Sequence, residues 1–264
     1  MDKYIKILIV PDVHCREFWK APVKSVLSET DAKIVFLGDY VDGYDFEWAD
    51  NFDYKTLGVN NFKEIIELKK QYPNRITLLL GNHDCTYALG DDICNCRTDY
   101  THKKELEELF IDNKERFQIA KEEIINGKHF IFSHAGMLRK YFTWFFKDID
   151  WDKVNPVDFF NNAWVTDNYQ VTDKLGIIDR CRGWCMGNKY GSPVWSDIRM
   201  WKDVKTEDTF GFNIVGHTQL EYNPIMFDTI ACLDCRRCFY INSNADIVEY
   251  DTDKIVQKTE KPTD

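Results

Sequence analysis

Several features are missing from this sequence of 264 residues. It contains no uninterrupted apolar run long enough to cross a bilayer, and no apolar signal segment precedes the first predicted strand. Its 7 prolines and 13 glycines are nowhere concentrated into a linker, so we expect one domain. Its 9 cysteines lack the framework of a secreted disulfide-rich domain. We therefore expect a reduced, soluble, cytoplasmic protein without a membrane partner.

Positive charge is also scarce. The 34 Lys and Arg residues are outnumbered by 44 Asp and Glu residues, for a net charge of -10. No basic stripe is present that could release counterions from a duplex, so we do not expect nucleic acid as a partner. The acidic surface would repel any ligand that carries phosphate, and such a ligand needs a local source of positive charge. Bound metal ions would supply that charge.

Five predicted strands end in residues that commonly bind metal ions. Each is an apolar run that stops at Gly, Ser or Pro and continues with Asp, Asn or His. The motifs are Pro-Asp-Val-His at 11–14, Gly-Asp-Tyr-Val-Asp-Gly at 38–43, Gly-Asn-His-Asp at 81–84, Ser-His-Ala-Gly at 133–136 and Gly-His-Thr at 216–218. Ligands bind outside the carboxyl ends of strands in open α/β sheets, so these strand ends predict one shared crevice.

In this order the five motifs resemble the signature of the calcineurin-like metallophosphoesterases. Gly-Asp-Tyr-Val-Asp is similar to the phosphoprotein phosphatase branch of that superfamily. The resemblance implies an α/β fold of four layers, in which two mixed sheets form a sandwich flanked by helices. The expected domain spans residues 1–252, with helical cap insertions near 85–128 and 137–190, and a charged tail follows at 253–264.

The resemblance also implies two divalent metal ions, Mn, Fe or Zn. Asp39 would bridge them, because a carboxylate has two oxygens that can reach both ions. The remaining ligands would be Asp12 and His14 for the first ion, and Asn82, His134 and His217 for the second. A ligand set this rich in nitrogen does not suit Ca or Mg.

The implied reaction is hydrolysis of a phosphate ester. Two ions about 3.5 to 4 Å apart share a hydroxide that attacks phosphorus directly, without a phosphoenzyme. By resemblance, His83 would protonate the leaving alkoxide, and Asp42 would orient His83 and keep it protonated. Asp84 occupies a position that is often structural in the family.

One position departs from the phosphoprotein phosphatase pattern. Gly43 stands where that branch has an arginine that binds the phosphate. Another guanidinium should replace it, because a guanidinium can bind phosphate through two parallel hydrogen bonds. The candidates are Arg199, which lies in a Trp-Ser-Asp segment similar to that of the family, and Arg180 or Arg182.

Three functions follow from these observations. The first is a phosphomonoesterase similar to Ser/Thr protein phosphatases, acting on a phosphoprotein or a small phosphate ester. The second is a hydrolase of dinucleoside polyphosphates such as diadenosine tetraphosphate, because aromatic residues at 44–54 could stack a base if this stretch forms a rim loop. That stretch is equally compatible with a surface loop that tucks its aromatic side chains into the protein. The third is a non-catalytic scaffold with the same fold. The sequence retains all six ligand positions and His83, which argues against this third function.

Local patterns predict the remaining elements. Helices are expected at 17–28, 57–71 and 102–110, and packed aromatic helices at 137–146 and 156–169. Asn126-Gly127 predicts a hairpin between 122–125 and 129–132. A second hairpin is expected between 230–234 and 238–241. Its cysteines, at 232, 235 and 238, are interpreted as reduced strand cysteines rather than zinc ligands.

Overall fold

The computed structural model describes residues 5–89, 96–166 and 191–251. Within these residues eleven strands form two mixed sheets. The strands are β1 Ile5–Val10, β2 Lys33–Phe36, β3 Ile76–Leu79, β4 Phe117–Gln118, β5 Ala120–Ile125, β6 Lys128–Ser133, β7 Phe212–Val215, β8 Ile225–Phe227, β9 Ile230–Cys232, β10 Phe239–Asn242 and β11 Ile247–Glu249. The helices are α1 Lys20–Glu29, α2 Tyr54–Gln71, α3 Asn82–Ala88, α4 Lys103–Asp112, α5 Arg139–Phe145 and α6 Pro156–Val165. The predicted α/β architecture of two mixed sheets with helices is confirmed.

The first sheet has the strand order β11-β10-β1-β2-β3-β4. Strands β1 to β4 are parallel, with α1 and α2 as the connections between the first three, as the βαβ pattern predicted. Helix α1 begins three residues later than expected. Pro22 lies in its first turn, where the missing N–H of proline breaks no helical hydrogen bond.

The second sheet has the order β5-β6-β7-β9-β8. The predicted hairpin between β5 and β6 is confirmed, with Ile125 paired to Lys128 across the turn. Asn126 and Gly127 both have positive φ angles, 48° and 76°, as the preferred two-residue turn requires. Strands β6, β7 and β9 are parallel, so β6 and β7 end at the same edge.

The second predicted hairpin is wrong. Strand β9 pairs with β7 and β8 in the second sheet, whereas β10 pairs with β1 in the first. The chain therefore crosses from one sheet to the other between residues 232 and 239. Both strands are short and mostly buried, and an apolar run of this length does not indicate which sheet will take it. Strand β4 was also missed, because two residues are too few to show a periodic pattern.

One continuous hydrophobic core includes residues of both sheets and of the flanking helices. In the predicted aromatic helices, Phe142 of α5 packs against Phe160 of α6 with ring centroids 4.7 Å apart, and Trp151 lies 5.7 Å from Phe142. The boundaries expected for the cap insertions and the tail stay a prediction, since 90–95, 167–190 and 252–264 lie outside the described residues. No helix in the described part of the chain is long and apolar enough to cross a membrane.

Candidate metal centre

The five motifs meet at one edge of the molecule. Three of them follow β1, β2 and β3 of the first sheet, and two follow β6 and β7 of the second sheet. A cavity of about 390 Å³ opens there, lined by His14, Asp39, Asn82, His83 and His217 among others. A larger cavity, of about 690 Å³, lies near the start of β1, but the candidate metal-ligand groups found in the described residues are at the smaller one. Chemistry rather than size therefore identifies the site.

Four of the predicted site residues have a left-handed backbone. Their φ angles are 42° for His14, 52° for Asp39, 58° for Asp42 and 65° for His217. Such angles are uncommon outside glycine and cost free energy, so the surrounding structure must hold them. They turn the chain sharply after the strands, and the side chains of His14, Asp39 and His217 line the cavity.

Asp84 holds two of these strand ends together. Its carboxylate accepts hydrogen bonds from the N–H groups of Asp39 at 2.8 Å, Tyr40 at 3.1 Å and Gly81 at 2.8 Å. The side chain is fully buried. The contacts of Asp84 thus join the turns that carry Asp39 and Asn82, as a structural residue would.

Two motif glycines leave room for carboxylates. A methyl group on Gly81 would collide with Oδ1 of Asp39, and one on Gly216 would collide with Oδ1 of Asp12. At these positions glycine is required by close approach, because no positive φ angle is involved.

Asp39 lies between the other candidate ligands. Its Oδ2 is 3.4 Å from Nε2 of His14 and 3.4 Å from Nε2 of His134. Its Oδ1 accepts the backbone N–H of His83 at 3.0 Å. Oδ2 thus faces both histidines, while Oδ1 accepts a backbone hydrogen bond. That Asp39 bridges two ions stays a prediction.

Asn82, His134 and His217 form what we call the second half of the site. Oδ1 of Asn82 lies 2.9 Å from Nε2 of His134 and 2.9 Å from Nδ1 of His217, and those two nitrogens are 3.1 Å apart. Two ligand atoms that bind one ion at about 2.1 Å and at right angles are about 3 Å apart, so this spacing fits a metal ion. Nδ1 of His134 faces the carbonyl oxygen of Leu37 at 2.8 Å, which leaves the Nε2 lone pair for the site.

Asp12 and His14 form the first half of the site. Nδ1 of His14 faces the carbonyl oxygen of Val41 at 2.9 Å, so its Nε2 lone pair also points inward. That Nε2 lies 4.0 Å from Oδ2 of Asp12. Both oxygens of Asp12 accept the N–H of His217, at 3.0 and 2.9 Å. The ligand atoms of this half are more widely spaced than those of the second half.

The pKa values of His134 and Asp39 indicate that the second half of the site favours a positive charge. Burial opposes charge on His134, but the carboxylates of Asp39 and Asp12 outweigh it and raise the pKa of His134 to about 10. Burial also opposes charge on Asp39, but His134 and His83 hold its pKa well below the usual range. A divalent ion would take the place of the His134 proton beside a carboxylate that is already charged.

In the first half, burial has the larger effect. It raises the pKa of Asp12 to about 7 and lowers the pKa of His14 to about 3. His14 is therefore neutral at physiological pH, which is the form that binds metal ions.

His83 and Asp42 lie beside the ligands. Nδ1 of His83 faces two acceptors, Oδ2 of Asp42 at 2.9 Å and the carbonyl oxygen of Arg97 at 3.2 Å, so this nitrogen carries a hydrogen. Asp42 is held in turn by the hydroxyl of Tyr87, which donates to its Oδ1 at 2.5 Å, and by the N–H of Asp99 at 3.0 Å. Burial opposes the charge on His83, yet Asp39 and Asp42 raise its pKa above the ordinary value.

Of the three arginines predicted to bind phosphate, the structure describes only Arg199. Arg199 lines the cavity, but its side chain is 82% exposed and its guanidinium pairs with both oxygens of Asp197. Arg180 and Arg182 lie outside the described residues. Sequence reasoning missed Arg97, which also lines the cavity. It belongs to a polar insertion without a periodic pattern, so no local signal marked it.

The aromatic stretch at 44–54 agrees in part with both expectations, a rim loop at the site and a surface loop that packs its aromatic side chains. Tyr44 lines the cavity and packs against His14 with ring centroids 5.2 Å apart. Phe46 is 76% exposed and lies 5.4 Å from Tyr44. Trp48, by contrast, stacks on Phe52 and Tyr54. Only the start of this stretch reaches the site.

The cysteines at 232, 235 and 238 are free and buried. They belong to none of the candidate metal-ligand groups found in residues 5–89, 96–166 and 191–251. Cys232 instead donates its thiol hydrogen to the carbonyl oxygen of Gly216 at 3.2 Å. Its contact is with the backbone of the Gly-His-Thr turn.

Comparison with known proteins gives a family and a fold. The sequence model of calcineurin-like phosphoesterases matches residues 5–219. A cold-active protein-tyrosine phosphatase from a psychrophilic Shewanella species is similar in structure, with a TM-score of 0.51 at 13% identity over 94% of this chain and 81% of that one. A protein serine/threonine phosphatase from Saccharomyces cerevisiae gives a TM-score of 0.48 at 13% identity over 94% and 80%. At 13% identity the likeness to the Shewanella enzyme shows the fold alone. No curated protein sequence matches the chain significantly.

Proposed function

Because the chain belongs to the calcineurin-like phosphoesterase family, we propose that it is a dinuclear metal-dependent phosphatase that hydrolyses phosphate monoesters. The single observation that carries this proposal is the position of Asp39. One of its oxygens lies 3.4 Å from His14 on one side and 3.4 Å from His134 on the other. A carboxylate that faces an imidazole nitrogen on either side would let one residue serve as a ligand of two ions.

The donor set fits such ions. The second half offers one amide oxygen and two imidazole nitrogens, and the first half offers a carboxylate and an imidazole, with Asp39 common to both. Mixed oxygen and nitrogen ligands suit Mn, Fe or Zn. When bound, a pair of such ions activates water near neutral pH and offsets the negative charge that develops on the phosphoryl oxygens.

The residues around the ions would act on the leaving group. His83 holds a hydrogen on Nδ1 through Asp42 and the carbonyl of Arg97, which turns its Nε2 toward the cavity. Burial lowers the pKa of the ring, but Asp39 and Asp42 raise it above the ordinary value, which favours the charged form. From that form Nε2 can give a proton to a leaving alkoxide. Asp42 stabilises the charged ring, and Tyr87 with Asp99 fixes Asp42.

The proposed substrate is a phosphate monoester on a protein serine or threonine, or on a small molecule. A dinucleoside polyphosphate is the second candidate, and a specific observation favours it. The ring of Phe46 is 76% exposed and lies beside Tyr44 of the cavity wall, so a base can stack on it. Both substrates carry phosphate to the same cavity, so turnover decides between them.

A panel assay tests the function. Protein loaded with Mn or with Zn is given an aryl phosphate, an aryl phosphodiester, phosphoserine and phosphothreonine peptides, and diadenosine tetraphosphate. We expect the monoesters to be hydrolysed fastest, and Asp39→Asn serves as the inactive control. Preference for diadenosine tetraphosphate would select the second candidate. Failure to hydrolyse any of them with two ions bound per chain would refute a phosphatase.

A further inference from the structure

The cavity has a guanidinium that forms no ion pair with any described carboxylate. Arg97 lines the cavity and is exposed, and its described contacts are with a ring and a carbonyl oxygen. The other arginines near the site are occupied. Arg16 binds both oxygens of Glu47, at 2.7 and 2.9 Å, and Arg199 binds both oxygens of Asp197. In a protein of net charge -10, a cation beside the metal ligands that pairs with no carboxylate among the described residues is available to an anionic ligand.

Two contacts hold the head of Arg97 in place. Its central carbon lies 3.6 Å from the centroid of the Tyr44 ring, which gives a stacked cation–π contact. Its Nη2 donates to the carbonyl oxygen of Asp42 at 3.1 Å. The guanidinium has five N–H groups in a rigid fork, so these contacts leave donors for a further acceptor.

The hydrogen bond to Asp42 places the guanidinium of Arg97 next to Gly43. The carbonyl of Asp42 belongs to the peptide bond between Asp42 and Gly43, and Gly43 is the residue that lacks the expected arginine side chain. A Cβ atom at Gly43 would come within 3.0 Å of the Tyr54 ring and 3.2 Å of the carbonyl oxygen of His14. A side chain at position 43 would therefore crowd its neighbours, and a guanidinium from elsewhere in the chain reaches the same peptide.

We propose that Arg97 binds the phosphate of the substrate and thereby selects phosphate monoesters over diesters. This inference rests on the proposed function. The fork of a guanidinium binds two oxygens of one phosphate at once. A bound monoester has three non-bridging oxygens and two negative charges, whereas a diester has two such oxygens and one charge. A monoester can therefore use the ions and Arg97 together, and a diester loses part of that binding.

The backbone of Arg97 links phosphate binding to the predicted acid. Its carbonyl oxygen accepts the hydrogen of His83 Nδ1 at 3.2 Å, while its side chain faces the same cavity. The residue therefore connects the group that would bind phosphate with the group that would protonate the leaving oxygen. Substitution of the side chain leaves the carbonyl in place, so the two contributions can be separated.

The test is the binding of inorganic phosphate to Mn-loaded protein, measured by titration calorimetry. We expect Arg97→Ala to weaken binding about ten-fold to hundred-fold and Arg97→Lys to weaken it less, since lysine keeps the charge but loses the fork. The control is Lys104→Ala, which removes one positive charge from α4 at a side chain that is 90% exposed. It should bind phosphate like wild type. All proteins should hold equal metal and melt at similar temperatures.

Turnover provides the second measurement. Arg97→Ala should lower kcat/KM for an aryl phosphate by a larger factor than for an aryl phosphodiester. Equal phosphate affinity in Arg97→Ala and Lys104→Ala would overturn the proposal, and so would an equal loss on both esters. If phosphate binding depends on Arg97 but wild type hydrolyses no ester, the role of Arg97 in phosphate binding stands, and the selection between esters fails together with the proposed phosphatase. If wild type is active and Arg97→Ala is unaffected in binding, only the inference fails.

Discussion

The two halves of the candidate metal centre are built differently. In the second half the donor atoms of Asn82, His134 and His217 are already 2.9 to 3.1 Å apart, whereas His14 and Asp12 in the first half are 4.0 Å apart. The first half comes from the end of one strand, β1. The second half takes Asn82 from the first sheet and both histidines from the second. An ion in the second half would therefore tie the two sheets together, and its site needs less rearrangement.

The halves also differ in the protons that an ion must displace. The pKa of His134 is raised to about 10, so the metal-free second half carries a proton at neutral pH. In the first half the pKa of His14 is lowered to about 3 and that of Asp12 is raised to about 7. Geometry thus favours the second half, and protonation opposes it. Measurements that treat the two halves separately can show which effect is larger.

The largest expected effect is that of Asp39→Asn, which alters the ligand that both halves share. We expect loss of nearly all activity and of at least one ion per chain, because an amide does not carry the charge that attracts both ions. Elemental analysis of the purified protein and turnover of an aryl phosphate are the measurements. Two ions per chain with normal turnover would show that Asp39 is not the ligand that both halves share.

The next test breaks one half at a time. His134→Ala should lose the ion of the second half, and His14→Ala should lose the ion of the first half, with each variant keeping about one ion because Asp39 and the other half remain. Metal analysis after dialysis against a limited amount of chelator gives the stoichiometry. If either substitution empties both halves, the halves do not bind independently and the comparison fails.

A smaller effect is expected from His83→Ala, which removes none of the six predicted metal ligands. Both ions should remain, and the rate should fall by about 100-fold to 10,000-fold on substrates with poor leaving groups. The loss should be much smaller on an activated aryl phosphate, whose leaving group needs no proton. An equal loss on both substrates would show that His83 has another role.

The same residue gives a pH prediction. Against the effect of burial, the carboxylates of Asp39 and Asp42 raise the pKa of His83, so activity on alkyl phosphates should fall as the pH rises through that raised pKa. Asp42→Asn removes a carboxylate that favours the charged ring and should move this fall to lower pH. Rate profiles against pH for wild type and Asp42→Asn measure the shift. Superimposable profiles would contradict the role of Asp42.

The smallest effect concerns the pH dependence of metal affinity. It tests whether the two halves differ in the protons that an ion displaces. Below about pH 10 an ion in the second half displaces one proton from His134, so its affinity should rise about ten-fold per pH unit up to that value. The affinity of the first half should stop rising above about pH 7, where Asp12 and His14 are both deprotonated. Dissociation constants measured at several pH values with His134→Ala and His14→Ala give the two slopes. Equal slopes would contradict this difference.

Much of the fold was predictable because its signals are local. The strand-end motifs, the βαβ order and the Asn126-Gly127 hairpin each depend on a few neighbouring residues, and the structure bears them out. The hairpin expected between 230–234 and 238–241 failed for a physical reason. Sheet membership depends on which distant strand offers an open edge, and a short apolar run carries no information on that.

The sequence by itself determined which side chains stand at the strand ends, and hence the family and the candidate ligands. Only the tertiary structure decided how they are arranged. It directs a single oxygen of Asp39 to both halves, holds four site residues in left-handed conformations and pairs Arg199 with Asp197. It also brings Arg97 to the peptide before Gly43. These outcomes arise from contacts between residues far apart in the chain, whose geometry no local pattern encodes.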